Sequence, residues 1–139
     1  MTVIMVDTSV WIDFIYNKET PEVETMARLL RNRQKISSNS IIQMELLQGC
    51  KNEKEIIRVK TILSGFYCYN IPHKTIIQAS VIYRACVKGK EKPLTGQTIS
   101  PLDCIIASSC IENDLPIFSR DVHFDFIANI IGQLKIYKE

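Results

Sequence analysis

Strand-length apolar runs and helix-length amphipathic segments take turns along the whole chain, and this alternation restricts the fold more than any other property. Residues 2–6 form a short continuous apolar run, the pattern of a strand buried on both faces. Residues 8–16 then read as helix, with Asp7, Thr8 or Ser9 as its cap. Thr20 and Pro21 stand at the N-cap and N1 of a second helix, whose Val23, Met26, Leu29 and Leu30 fall at helical spacing. Next come strand 35–38, helices ending at Gly49 and Gly65, strand 67–71 and a long amphipathic helix closing at Gly89. A loop with Pro93 and Gly96 follows, then a helix from Ser100, strand 115–119, a short helix over 121–130 and a closing strand 133–138. This order predicts an α/β fold with a short, mainly parallel sheet flanked by helices. At 139 residues the chain forms one domain, 1–139.

In such sheets ligands bind beyond the carboxyl ends of the strands, so acids at those ends are the residues to weigh. Asp7 directly follows the first strand. A helix cap would explain it, although Thr8 and Ser9 are equally able caps. Glu45 lies between Ile41 and Ile42 on the apolar arc of its helix, where an ionised carboxylate is costly unless something neutralises it. A buried ion pair is the structural alternative to a functional acid there. Asp103 falls at N3 behind Ser100 and Pro101, a capping-box position. Asp121 stands just past strand 115–119, again a possible cap. Each acid alone has an ordinary explanation; four at one sheet edge do not share one.

Two carboxylates about 4 Å apart repel by about 4 kcal/mol at an effective dielectric near ~20. The grouping is tolerable only with protonation or with a divalent cation. Carboxylate ligands without paired His or Cys favour Mg²⁺ or Mn²⁺ over zinc. Such an ion polarises a phosphate and activates water. The net charge of +2 neither demands nor forbids a nucleic-acid partner. Cys50, Cys68, Cys86, Cys104 and Cys110 contain no CxxC pair and read as free thiols in a reducing compartment. There is no basic leader and no apolar run approaching roughly 18 residues, so a cytoplasmic protein with no membrane partner is expected.

With these residues assembled, the sequence resembles the PIN-domain nucleases, specifically the small VapC-like toxins of bacterial toxin–antitoxin systems. The resemblance rests on "VDTSVWIDF", the helical acid in "IIQMELLQG", and "SPLDCIIASSCIENDLPIFSRDVHF", in that order and over almost the whole chain. It implies a three-layer sandwich and a Mg²⁺- or Mn²⁺-dependent endoribonuclease that leaves a 5′-phosphate and a 3′-hydroxyl. Asp7, Glu45, Asp103 and Asp121 match the acidic quartet that holds the metal. Thr8 matches the small hydroxyl residue after the first acid, and Ser119 the one before the fourth. The resemblance also implies an RNA substrate, a cognate antitoxin and a homodimer. One departure stands out: His123 occupies a position where a further Asp often precedes the Phe, which leaves one or two metals open. In the implied chemistry, water deprotonated toward Asp103 or Asp121 attacks the phosphorus in line.

Other polar groups are weighed against plainer roles. Arg120 is a candidate phosphate contact or half of a salt bridge, and Thr8 a candidate substrate contact. Lys88, Lys90 and Lys92 are either a backbone-binding cluster or solvated loop. Trp11 is read as core, and Asp13 and Asp125 as solvated helix positions. A phosphohydrolase working through an aspartyl-phosphate would need a second Asp two residues after Asp7, where Ser9 stands. A non-catalytic PIN-like RNA-processing or interaction module is the remaining alternative. It would be signalled by missing acids, and all four are present.

Overall fold

The computed structural model describes residues 2–89 and 99–138. Eleven elements follow in order: β1 (Ile4–Val6), α1 (Thr8–Ile15), α2 (Pro21–Arg31), β2 (Ile36–Asn39), α3 (Ser40–Gln48), α4 (Glu53–Leu63), β3 (Tyr67–Tyr69), α5 (His73–Lys88), α6 (Pro101–Glu112), β4 (Ile117–Phe118) and α7 (His123–Ile130). The helix starts are those the sequence marks. Thr20, Asn52 and Ser100 each accept a backbone N–H at N2 or N3, and Pro21 and Pro101 stand at N1.

The strands form one parallel sheet in the order β3-β2-β1-β4. Ile4 and Met5 of β1 pair with Ile36 and Ser37 of β2, and on the other side Met5 and Val6 pair with Ile117 and Phe118 of β4. The chain therefore steps outward from β1 through β2 to β3 and then returns across β1 to place β4. The reversal lies between β1 and β4, the switch point where doubly wound sheets open a crevice. Right-handed crossovers put the helices of the outward path on one face and those of the return path on the other. In agreement, α1 packs on α2 and α3, α3 on α4, and α5, α6 and α7 pack on one another. The result is the expected three-layer α/β architecture.

β1 is buried at every position, as its uninterrupted apolar sequence requires. Trp11 is fully buried and meets Phe66 edge-on, with ring centroids 5.0 Å apart, so it belongs to the core. Cys86, Cys104 and Cys110 are also buried, all five cysteines are free, and burial pushes the Cys104 thiol up to about 12. Two expectations need correction. The closing strand 133–138 is a single parallel bridge between Ile136 and Ile117. β4 offers only two residues, so no longer ladder is available to it. Asp13 is not solvated but fully buried, for a reason taken up with the site. Lys88 is exposed at the end of α5, while Lys90 and Lys92 lie outside the described residues.

Candidate active site

Asp7 is delivered to the switch point because β1 ends at Val6 and α1 begins at Thr8. It holds the N-cap position of α1 in extended backbone, yet its side chain makes no capping hydrogen bond. Instead its Oδ2 accepts from Ser119 Oγ at 2.9 Å and from Ser9 Oγ at 3.0 Å, and Asp7 is only 6% exposed. Ser119 follows β4 directly, and its oxygen also accepts the Asp121 N–H at 2.9 Å. One hydroxyl thus fixes both the acid after β1 and the backbone of the acid after β4.

Glu45 arrives from the other side. β2 ends at Asn39, whose buried Oδ1 accepts the Ile42 N–H at 2.9 Å and starts α3. One turn further along α3, Glu45 Oε1 accepts from Thr8 Oγ1 at 2.8 Å. Asp103 stands in the first turn of α6, where Ser100 Oγ accepts the Leu102 and Asp103 N–H groups at 3.0 and 3.3 Å. The carboxylate of Asp103 faces His123, with Oδ2 3.3 Å from Nδ1. The same ring nitrogen is 3.6 Å from Asp121 Oδ1, which also accepts the His123 backbone N–H at 3.0 Å.

All four acids predicted to converge therefore do so, from β1, α3, α6 and the β4–α7 turn. The electrostatics agree with the geometry. Burial raises the Asp7 carboxyl above its ordinary range, against the opposing pull of the Ser119 and Ser9 hydroxyls. Burial also raises Glu45, and the charges of Asp7 and Asp103 add to it. Asp103 is raised by burial foremost and further by Asp7 and Asp121, while His123 acts in the opposite direction. The cluster is thus costly as a set of anions, and His123 offsets part of that cost at Asp103.

Among the described residues, no three Asp, Glu, His or Cys side chains are placed as a ready-made metal-binding group. The donor chemistry nevertheless suits a hard divalent cation. Carboxylate oxygens project from the ends of rigid elements, and their ionised forms are disfavoured by burial and by one another. Binding such an ion exchanges protons or repulsion for coordination.

Three features take roles that the sequence left open or unassigned. Arg120 Nη1 lies 2.8 Å from Asp13 Oδ2, with Lys18 Nζ 3.6 Å from Oδ1. Asp13 is buried beneath this cationic cover, and the contact is one of charge, without an aligned hydrogen bond to either oxygen. It ties α1 to the turn that carries Ser119 and Asp121. Ser9 is a second support for Asp7, signalled only by a hydroxyl two residues after a strand-end acid. His123, visible in the sequence as a departure, is a buried member of the cluster.

An α/β fold with an acidic crevice at its switch point defines a class of small hydrolase-like domains. The PIN domain family matches this chain over residues 4–130, and the chain belongs to that family. Its backbone is similar to a chain of VapBC from Salmonella typhimurium bound to DNA, with a TM-score of 0.75, 20% identity, and 99% of this chain and 98% of that one covered. It is similar to a chain of VapBC2 from Rickettsia felis bound to a promoter DNA fragment, with a TM-score of 0.71, 16% identity, and 98% of each chain covered. It is also similar to VapC20 of Mycobacterium tuberculosis, a toxin that cleaves the sarcin–ricin loop, with a TM-score of 0.63, 18% identity, and 91% of this chain and 94% of that one covered. At these identities the likeness is one of fold. Among the described residues no helix is long and apolar enough to cross a membrane.

Proposed function

We propose that this protein is a divalent-cation-dependent endoribonuclease acting as the toxin of a toxin–antitoxin pair. The observation that carries the proposal is the convergence of Asp7, Glu45, Asp103 and Asp121 on one crevice, where burial disfavours the ionised forms of Asp7, Glu45 and Asp103 and neighbouring carboxylates add to this at Glu45 and Asp103. Asp7, Asp103, Asp121 and Glu45 would hold Mg²⁺ or Mn²⁺, which when bound supplies charge stabilisation at the phosphate and activates water. Ser119 holds Asp7 and the Asp121 backbone in one register, and Thr8 orients Glu45. Asp103 or Asp121 takes the proton from the attacking water, and in-line displacement leaves a 5′-phosphate and a 3′-hydroxyl. Arg120 contacts Asp13 but keeps 48% of its side chain exposed, which leaves N–H groups for a phosphate.

The VapBC neighbours support an antitoxin as the protein partner, and VapC20, which cleaves the sarcin–ricin loop, supports an RNA of the translation machinery as the target class; a homodimer in the cytoplasm is part of the same proposal. Purified protein incubated with RNA and Mn²⁺ tests the catalytic reading: cleavage is expected, chelator abolishes it, and Asp7→Asn lacks it. Equal cleavage by wild type and Asp7→Asn overturns it. RNA binding without cleavage would turn the assignment toward a PIN-like interaction module. Light scattering on the isolated chain reads the oligomeric state.

A further inference from the structure

The four acids do not face one another alone. His123 is 9% exposed, and its Nδ1 lies 3.3 Å from Asp103 Oδ2 and 3.6 Å from Asp121 Oδ1. Its backbone N–H donates to that same Asp121 oxygen at 3.0 Å. The imidazole is thus set between the acid of α6 and the acid after β4. Four ionised carboxylates carry enough charge to balance two divalent ions. An ion between Asp103 and Asp121 would need the two oxygens that His123 already meets. The gap on the opposite side of Asp103, toward Asp7 and Glu45, holds no such group among the residues described, and there the carboxylates act on one another through charge alone.

We infer that His123 is a positioning residue that fills the gap a second ion would occupy, its Nδ1–H held to Asp103 and its backbone N–H to Asp121, so that the site binds a single divalent ion. The inference rests on the cation-dependent reading of the site. It requires only that Nδ1 carry a proton, which the neutral imidazole can supply. A ring lodged in the gap also fixes the α6 acid relative to the β4–α7 turn before any ion arrives, the pre-organisation that outer groups give to metal ligands.

Isosteric replacement separates this role from a merely structural one. Asn at position 123 keeps an N–H donor at the δ position, whereas Asp puts a fifth carboxylate in the gap. Calorimetric titration of the full chain with Mn²⁺, followed by electron paramagnetic resonance of the loaded protein, reads the number of ions and whether they sit as a coupled pair. Wild type and His123→Asn are expected to bind one ion and give an isolated-ion spectrum. His123→Asp is expected to bind two and give a spin-coupled spectrum. Two ions in the wild type, or one in a folded His123→Asp, overturns the inference. So does hyperfine coupling from ¹⁵N-labelled histidine in the wild type, which would make His123 a direct ligand. The wild-type count stands by itself if the Asp variant does not fold. Absence of any Mn²⁺ binding overturns the functional reading together with this one, whereas a count of two overturns this one alone.

Discussion

Asp7 is the residue on which the site turns, and its burial has a measurable consequence. Its carboxyl is raised by loss of water, more than the Ser119 and Ser9 hydroxyls lower it. As pH rises the unfolded chain ionises first, while the native state keeps its proton longer. Stability is therefore lost between the unfolded value and the raised native one, and the full penalty applies above both. Without a cation, Asp7→Asn is expected to melt above wild type near pH 8. The advantage should shrink as pH falls through the raised range. Scanning calorimetry in chelator measures this, and an advantage that grows toward acid contradicts it. Ser119→Ala removes a donor to Asp7 and the acceptor of the Asp121 N–H at once. Its kcat is expected to fall about tenfold to hundredfold with KM nearly unchanged, and its stability to fall by about 1–3 kcal/mol because Asp7 and the Asp121 N–H lose a partner. The gathering of these acids was legible in the sequence because Asp7 and Asp121 follow strands, Glu45 sits on an apolar helical arc and Asp103 stands in the first turn of a capped helix. The hydroxyl bonds that hold them were not, since Ser119 and Asp7 meet only through the pairing of β1 with β4.

At the scale of elements, two devices fix where the acids point. Asn39 ends β2 and caps α3, and its side chain is fully buried. Asn39→Ala is expected to cost about 1 kcal/mol in urea unfolding, and to weaken cation binding because Glu45 rides on the loosened turn. The second device is the contact between Asp13 of α1 and Arg120 of the β4–α7 turn. Removing one partner of a buried pair strands the other charge, at a cost of about 3–5 kcal/mol when both are enclosed. Arg120 is half exposed and Lys18 stands near, so Arg120→Ala is expected to cost less, about 1–2 kcal/mol. A double-mutant cycle with Asp13→Asn is expected to recover part of that loss, and strict additivity would deny the coupling. Helix starts were readable from Thr20-Pro21 and Ser100-Pro101, because caps and N1 prolines act locally. The burial of Asp13 was not, because the cation that compensates it comes from the far end of the chain.

At the scale of the molecule, the order β3-β2-β1-β4 brings acids from distant parts of the sequence to one crevice. The alternation of segments foretold the α/β class, but not the length of each strand. Residues 133–138 have strand character, yet β4 gives them one position to pair with. That economy divides the site mechanically. Asp7 hangs from β1, which has a hydrogen-bonded neighbour on either side. Ser119 and Asp121 hang from a two-residue strand whose outer flank, among the described residues, is closed by Ile117 N–H to Lys135 O at 3.0 Å and Tyr137 N–H to Ile117 O at 2.8 Å. Hydrogen exchange should find the Ile117 and Tyr137 amides opening together, well before Ile4, whose N–H is held by Lys35 O at 2.9 Å on the other side of β1. Equal protection of all three would refute this division. The crevice then joins a wall paired on both flanks to one whose outer flank rests on two backbone hydrogen bonds.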